Sequence, residues 1–433
     1  MWKRTFSCVF MDSLYNKSSL KWGKTMSYRF ELNVEKDEFN QFVENHEYCN
    51  LLQSYQWANV KQNWDHYHTG VYENGTLVAT GLVLIKVLPM NFTMFYLPRG
   101  PIMDYKNEEL LQFYFKELKK VAKKRHCLFI KFDPAIHVND YKSSEYNTSR
   151  YEDCSFYLEE FKRLGAKHHG FTMKIEDTIQ PRFQSNVYAC QDIEQMLPKH
   201  TRRLIKDADK RNVKIIEGKK ECLDEFSRLV SLTEERKQVS LRNKDYFTLL
   251  MDEYPEGGVI FLAQCNLYQL SKEAHRKYDE TKKEIENTPE NAKKKLRRLN
   301  EQIQSIEKDI KEFDEMLAEF SDKDQDVSIA GILSIQFGNT CEMLYAGMDE
   351  RFKKFMPQYK EYVENFKWAF DRGCIYSNMG GVEGTLDDGL TKFKDNFNPT
   401  INEFIGEFDL PVNKLLFKIS LKAYEKMKKR IKS

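Results

Sequence analysis

Apolar and polar positions follow two different rhythms along this chain. From Leu296 the apolar residues are Leu296, Leu299, Ile303, Ile306, Ile310, Phe313, Leu317 and Phe320, at alternating steps of 3 and 4, with lysine, glutamate and glutamine between them. That is a heptad seam, the pattern of a helix lying along another helix. A weaker seam precedes it at Leu270, Ala274, Tyr278, Thr281 and Ile285. Between the two lies "ENTPEN", where Pro289 interrupts a helix and Asn291 helps the chain to turn. The pattern predicts an antiparallel two-helix coiled-coil arm over residues 268–322.

On either side of the arm the rhythm changes. "GGVIFLAQC" (257–265) and "VSIAGILSIQFGNTCEMLYAG" (327–347) are rich in β-branched and aromatic residues and read as strands of one sheet. The arm is therefore expected as an insertion in a sheet domain. A related order occurs earlier: strands over "GVYENGTLVATGLVLIKVLPMNFTMFYLPRGP" (70–101), a helix over "NEELLQFYFKELKKVAKKRHC" (107–127), then the strand "LFIKFDP" (128–134). With the arm removed, the later stretch repeats it: strands to Gly347, a helix over "RFKKFMPQYKEYVENFKWAFDRGC" (351–374), then "IYSNMGG" (375–381). Tight turns punctuate both, Asn74-Gly75 in one and Gly338-Asn339 in the other. We expect two copies of one mixed α/β unit with a cleft between them, a common place for a ligand.

Composition narrows the function classes. The chain has 433 residues, enough for two or three domains, and its 41% hydrophobic and 31% charged content fits a water-soluble protein. A net charge of +2 gives no global attraction to nucleic acid, so stable DNA binding is not expected. No apolar run approaches the roughly 18 residues of a membrane span. "MWKRTFSCVF" does not make a secretory signal. Residues 1–25 read as an N-terminal extension, with Met26 the expected start. The nine cysteines are scattered singly without C-x-x-C, which predicts reduced thiols rather than disulfides or zinc. His168-His169 has no third ligand close by in sequence, so no metal is expected. Neither G-x-G-x-x-G nor the Walker lysine loop is present, and no nucleotide cofactor is expected.

Individual residues are ambiguous when read singly. In "YLPRGPIMDY" (96–105), Pro98 and Pro101 stiffen a bend at Gly100, and Arg99 is the only cation. We read this loop as a rigid wall with Arg99 in a structural pair. Lys394 in "KFK" reads as a surface lysine, and Asp133 as the turn residue before Pro134.

Seven stretches taken in order change this picture: "LLQSYQWANVK" (51–61), "YLPRGPIMDY", "FIKFDP" (129–134), "TIQPR" (178–182), "LYAGMDERF" (344–352), "GLTKFKDNF" (389–397) and "EFIGEFDLPVN" (403–413). Over nearly everything after Met26 the chain resembles the Fem family of peptidoglycan-bridge aminoacyltransferases, and within it the MurM type. The resemblance implies an α/β fold of two tandem acetyltransferase-like domains. The expected boundaries are 26–176, completed by the C-terminal segment 406–433, and 177–405, with the arm inserted in the second domain. It implies transfer of serine or alanine from seryl- or alanyl-tRNA to the side-chain amine of the stem-peptide lysine of lipid II, without a cofactor. The expected location is cytoplasmic, against the inner face of the cell membrane.

That chemistry sets requirements. The acceptor is an ammonium with a reference pKa of about 10.4 and must lose a proton before it attacks. The tetrahedral intermediate then needs a cation or hydrogen-bond donor at its oxyanion. By the resemblance, Lys394 supplies that partner and Phe393 shapes the same wall. Asp133 is the candidate to take the amine proton or orient the ammonium. Lys61, Arg242, Tyr246 and Tyr345 match positions that contact the lipid II acceptor. Tyr246 is expected to share a helical face with Arg242, Lys61 to lie on one helix with Gln53 and Trp57, and Tyr345 to end a strand. Two basic clusters, residues 198–220 and Lys422, Lys426, Lys428, Lys429, Arg430 and Lys432, are candidates for tRNA phosphates or anionic lipid. Each also reads as a solvated helix face. The arm resembles the tRNA-binding arm of seryl-tRNA synthetase. Two other readings remain open: a non-catalytic cell-wall scaffold, and an acyltransferase of the same fold using acyl-CoA.

Overall fold

The computed structural model describes residues 28–146, 153–238, 242–319 and 324–421. The N-terminal extension, Phe320 of the seam and the cations from Lys422 onward lie outside the described residues. No described helix is long and apolar enough to cross a membrane.

Two mixed sheets carry the fold. In the first, the spatial order is Tyr28–Glu31, Asp65–Glu73, Thr76–Val87, Thr93–Leu97, Cys127–Phe132, Phe408–Pro411 and Lys167–His168, with Ile102–Met103 paired to Thr76–Val87. The hairpin at Asn74-Gly75 has positive φ at both residues, 51° and 88°, as a type I′ turn requires. Thr93–Leu97 and Cys127–Phe132 run parallel and so need a crossover, which the helix Glu108–Lys124 provides. Asn107 caps this helix by accepting from the Leu110 N–H, and Glu108, Glu109, Lys123 and Lys124 complement its dipole. Its buried stripe of Leu110, Leu111, Tyr114, Phe115, Leu118 and Ala122 faces the sheet.

The second sheet repeats the plan. Its order is Lys214–Gly218, Gly258–Asn266, Asp326–Phe337, Thr340–Met348, Tyr376–Val382, Phe183–Tyr188, Thr400–Phe404 and His137–Tyr141. A hairpin turning at Gly338 leads through the helix Pro357–Asp371 to the parallel strand Tyr376–Val382. The helix expected from residue 351 is shorter than its apolar pattern suggested. Glu350–Phe355 is a 3-10 turn, Met356 takes φ 55°, and the α-helix begins at Pro357, whose ring suits the first helical position.

The arm stands where expected, as helices Leu267–Glu286 and Lys293–Leu317. It leaves and re-enters the sheet between strands that pair directly, Asn266 opposite Asp326. Leu270, Ala274 and Thr281 of one helix and Leu299, Ile306 and Phe313 of the other form its buried seam. The two sheets also exchange strands. His137–Tyr141 pairs with Thr400–Phe404 in the second sheet, and Phe408–Pro411 returns to pair with Cys127–Phe132 in the first. A buried Arg182–Glu403 ion pair at 2.6 Å braces the crossing.

The helix Leu223–Lys237 lies so close on Thr340–Met348 that a Cβ on Gly347 would come within 2.5–2.7 Å of the Leu229 and Val230 backbone. Gly347→Ala is therefore expected to lower the unfolding free energy by about 1–3 kcal/mol, as overpacking does. Urea denaturation of the two proteins measures it.

Candidate active site

The parallel pairing of Thr340–Met348 with Tyr376–Val382 lasts three residues and ends at Glu342 opposite Asn378. On the other side, the register against Phe183–Tyr188 breaks between Asn378 and Gly381. Gly380, in the break, has φ 85°, a conformation that favours glycine. The strand buckles at this point, and polar groups collect on the buckle. Asn378 accepts from the Gly380 N–H at 2.7 Å, and its Nδ2 donates to Glu342 Oε2 at 2.7 Å and to Gln184 Oε1 at 3.1 Å.

Lys394 also meets the buckle. Its helix, Gly389–Asp395, is capped by Asp388, which accepts from the Leu390 and Thr391 N–H groups. Lys394 Nζ donates to the Gly381 carbonyl at 2.8 Å, and it lies 3.7 Å from where a Cβ on Gly380 would stand. Only 3% of the residue is exposed, and among the described residues no carboxylate forms an ion pair with it. Burial therefore pushes its ammonium down to about 7, with Asp388 opposing the shift. Glu342, partly exposed on the neighbouring strand, moves the other way. Burial raises its carboxyl to about 7 against the pull of Arg99 and Asn378. A cation and a carboxylate that both titrate near neutrality thus bond to one kinked strand, Lys394 at the Gly381 carbonyl and Glu342 at the Asn378 amide. Nothing in the sequence marked Glu342, which reads there as an ordinary strand residue.

Arg99 and Asp133 lie together behind this pair. Arg99 is 1% exposed at φ 54°. Its backbone N–H donates to Asp133 Oδ1 at 3.2 Å, and its guanidinium stands 3.7 Å from Oδ2. Nη2 donates to the Pro181 carbonyl at 2.5 Å, and the group stacks 4.0 Å from the Phe404 ring centroid. Asp133 is also buried, and desolvation raises it to about 7 in spite of Arg99. Gly381 packs so tightly on Pro181 that a Cβ there would meet the ring at 2.5 Å. Pro181 therefore stands between the Arg99–Asp133 pair and Lys394. Gln53, fully buried, clamps the Arg99 loop from behind through Pro98 O at 2.7 Å and the Leu82 N–H at 2.8 Å. Phe393 packs with Tyr359, Tyr362 and Phe397 in an aromatic wall beside Lys394. Farther along, His169, Glu407 and Asp409 come close enough to share an ion. Lys131 already bonds both carboxylates there, so the charge is met by the chain itself.

A second constellation gathers residues that are far apart in sequence. Lys61 Nζ lies 4.9 Å from the Trp57 ring centroid, and the Arg242 guanidinium 5.0 Å from that of Tyr246. The Tyr246 and Tyr345 rings meet edge to face at 5.9 Å. Burial lowers the Lys61 pKa, and the nearby Arg242 charge lowers it further. Among the described residues neither cation has an ion-pair partner. Two uncompensated cations over an aromatic floor suit a polyanion such as a diphosphate.

The local structure differs from the expected helices. Lys61 ends a single turn, Trp57–Val60, and Gln53 belongs to the separate turn Leu51–Gln53. Arg242 precedes the helix Lys244–Glu253, which Asn243 caps, so it meets Tyr246 across the cap and not along a helical face. Tyr345 lies inside Thr340–Met348, beside a register shift, because the strand continues past it to Met348. The same strand carries Glu342, so the two constellations are about 10 Å apart along one strand. Of the first basic cluster, residues 198–220, only the first part forms a helix, Lys199–Lys210, with Arg202, Arg203 and Lys206 exposed, and the rest continues into the edge strand Lys214–Gly218.

Two sheets of the same plan, which exchange strands beside a buckled segment lined with polar groups, place the protein among the tandem acetyltransferase-like folds. A family model described as the FemAB family matches residues 34–425, and the chain belongs to that family. It is 28% identical over 422 residues to aminoacyltransferase FemA of Staphylococcus aureus strain MRSA252, an alignment covering 92% of this chain and 99% of that protein. FemA of S. aureus strain N315 matches to the same extent. A crystal structure of FemX superposes with a TM-score of 0.71 at 24% identity, covering 91% of this chain and 99% of that one. These relatives do not distinguish the MurM type.

Lys394 offers a direct check of the geometry. Its folded value of about 7 lies below the ordinary lysine value of 10.5. Between those limits the unfolded chain holds one more proton, so stability rises with pH there. Lys394→Met is expected to lack that rise. Urea unfolding of both proteins at about pH 7 and about pH 9 measures the difference.

Proposed function

We propose that the cleft joins an aminoacyl ester of tRNA to the side-chain amine of the stem-peptide lysine of lipid II. Family membership makes the chain an aminoacyltransferase of peptidoglycan assembly; the donor, the acceptor and the residue roles are our reading. The observation that carries it is the buried Lys394 ammonium aimed at a buckled strand, with Glu342 bonded to Asn378 of the same strand.

In this reading Lys61 and Arg242 hold the acceptor's diphosphate, with Tyr246 and Tyr345 as the floor beneath its sugar. The peptide runs along Thr340–Met348 toward the buckle. Glu342 takes a proton from the lysine ammonium, and the freed amine attacks the ester carbonyl. The carbonyl electron pair moves onto oxygen, where Lys394 Nζ donates to it. A lysine already close to its titration point holds its proton more tightly once an anion is beside it. The attacking nitrogen releases its second proton to solvent as the intermediate collapses, the C–O bond to the ribose breaks, and the leaving oxygen receives the proton held by Glu342, which regenerates the carboxylate. The ester is already activated, so no cofactor is required. Asp133 is shared with Arg99 and fully buried, so we assign it to holding the Arg99–Pro181 wall and leave the proton to Glu342. The exposed cations of Lys199–Lys210 are the nearest candidates for tRNA phosphates. Serine or alanine is the expected donor residue, and the lipid-linked acceptor places the work at the inner face of the cell membrane.

Incubation with lipid II and seryl- or alanyl-tRNA should add one of these residues to the stem peptide, read by mass. Lys394→Met should reduce kcat by about 10²–10³, the usual cost of one oxyanion donor. The pH–rate profile should be a bell centred near 7, its alkaline limb set by Lys394 and its acid limb by Glu342. Glu342→Gln should abolish the acid limb. No product with any charged tRNA would point to a scaffold, and product from acyl-CoA alone would change the donor.

Lys61→Met and Arg242→Met should each raise KM for lipid II while leaving KM for the charged tRNA unchanged, as measured by steady-state kinetics with one substrate varied at a time.

A further inference from the structure

We propose that one end of the first domain is a docking surface for an anionic phospholipid bilayer, beside the candidate diphosphate site. Among the described residues the four most exposed large apolar side chains are Met90 at 84%, Leu415 at 69%, Val87 at 68% and Ile419 at 56%. They come from two segments more than 300 residues apart in sequence, and the sheet register brings both to the same end. Val87 pairs with Thr93 and Thr93 with Cys127, so the 87–92 loop leaves the sheet where its parallel strands begin. The C-terminal strand arrives at that end too. Pro411 pairs with Phe129, the Val412 N–H donates to Leu128 O at 3.0 Å, and the following helical turns, residues 414–421, start from there. Phe417 anchors these turns inward, 5.3 Å from the Phe129 ring, while Leu415 and Ile419, one turn apart, face outward. Arg99 and Asp133 lie at the opposite ends of the same strands.

The charge at this end has one sign. Lys86, Lys123, Lys124, Lys414 and Lys418 are all exposed, and among the described residues none has an ion-pair partner. Asp65, which lies opposite Ile85 in the sheet, is already bonded to Arg125. Apolar side chains ringed by unpaired lysines match a surface that inserts shallowly among anionic headgroups. A second copy of the chain fits poorly, because a two-fold contact would set these like charges against each other.

The site of the acceptor borders this end. The Trp64 N–H donates to Lys61 O at 2.8 Å, and Lys86 Nζ lies 5.5 Å from the Trp64 ring centroid. A lipid-linked diphosphate sits at headgroup depth, so residues entering the bilayer must stand next to the cations that hold it. This last step rests on the proposed function; the composition of the surface does not.

Co-sedimentation of the full chain with vesicles free of lipid II tests the proposal. Phosphatidylglycerol vesicles should bind it and phosphatidylcholine vesicles should not, with binding weakened by added salt. The double substitutions Val87→Ser with Met90→Ser, and Leu415→Ser with Ile419→Ser, should each weaken vesicle binding by about tenfold or more. Both variants should keep transfer to an acceptor with a short, water-soluble lipid and lose it on acceptor embedded in vesicles. Equal vesicle binding by wild type and variants would overturn the proposal. So would a lipid-free dimer, seen by sedimentation, that the same substitutions dissolve. Binding as expected with no transfer to either acceptor would uphold the surface and reject the catalytic reading.

Discussion

The fold depends on one interrupted strand pairing. In the first sheet, Thr93–Leu97 and Cys127–Phe132 stay paired to their ends, Leu97 opposite Phe132, and the Arg99–Asp133 pair closes the gap beyond. In the second sheet the equivalent pairing stops at Glu342 opposite Asn378, because the next strand buckles at Gly380. A buckle leaves backbone groups without ladder partners, and buried polar groups must be satisfied. Here a lysine meets the Gly381 carbonyl and an asparagine meets the Gly380 N–H. The same plan thus yields a continuous pairing in one copy and an interrupted one in the other, and Pro181, bonded to Arg99 and packed on Gly381, links the two.

The electrostatics follow from that geometry. A lysine buried without a carboxylate is costly in its charged form, and a desolvated carboxyl bonded to the same strand is costly in the opposite sense. Both are drawn toward neutrality from opposite directions. Pairs of groups whose surroundings shift them to the working pH are the usual mark of acid–base chemistry. The Lys61–Arg242 pair shows a different solution: one half-buried and one exposed cation beside aromatic rings, without an ion-pair partner among the described residues.

Much of this was legible in the sequence, for identifiable reasons. The arm declared itself because a heptad seam is a local pattern, and Asn74-Gly75 announced its hairpin because few other pairs tolerate positive φ twice. The duplication was readable once the arm was set aside. Arg99 was rightly read as held in a pair, since two prolines and a glycine leave the loop little freedom. Of the strand exchange, the return of the C-terminal segment 406–433 to the first domain was expected only through the family resemblance, and the pairing of His137–Tyr141 with Thr400–Phe404 was not legible, because nothing local records the partner. The helical neighbours expected for Lys61 and Arg242 failed for a related reason. Spacing alone cannot tell a helix from a turn that ends at a cap. Glu342 was missed because its role comes from the buckle opposite it and not from its own neighbours in sequence.

The proposed chemistry turns on Lys394 meeting the oxyanion at the buckle. A crystal structure with a mimic of the tetrahedral intermediate, an aminoacyl-nucleotide analogue whose ester carbonyl is replaced by a phosphonate, would show that contact itself. A phosphonate oxygen should lie within hydrogen-bond distance of Lys394 Nζ, close to Gly380. A mimic bound with Lys394 still directed only at the Gly381 carbonyl, and the phosphonate held elsewhere, would contradict the assignment.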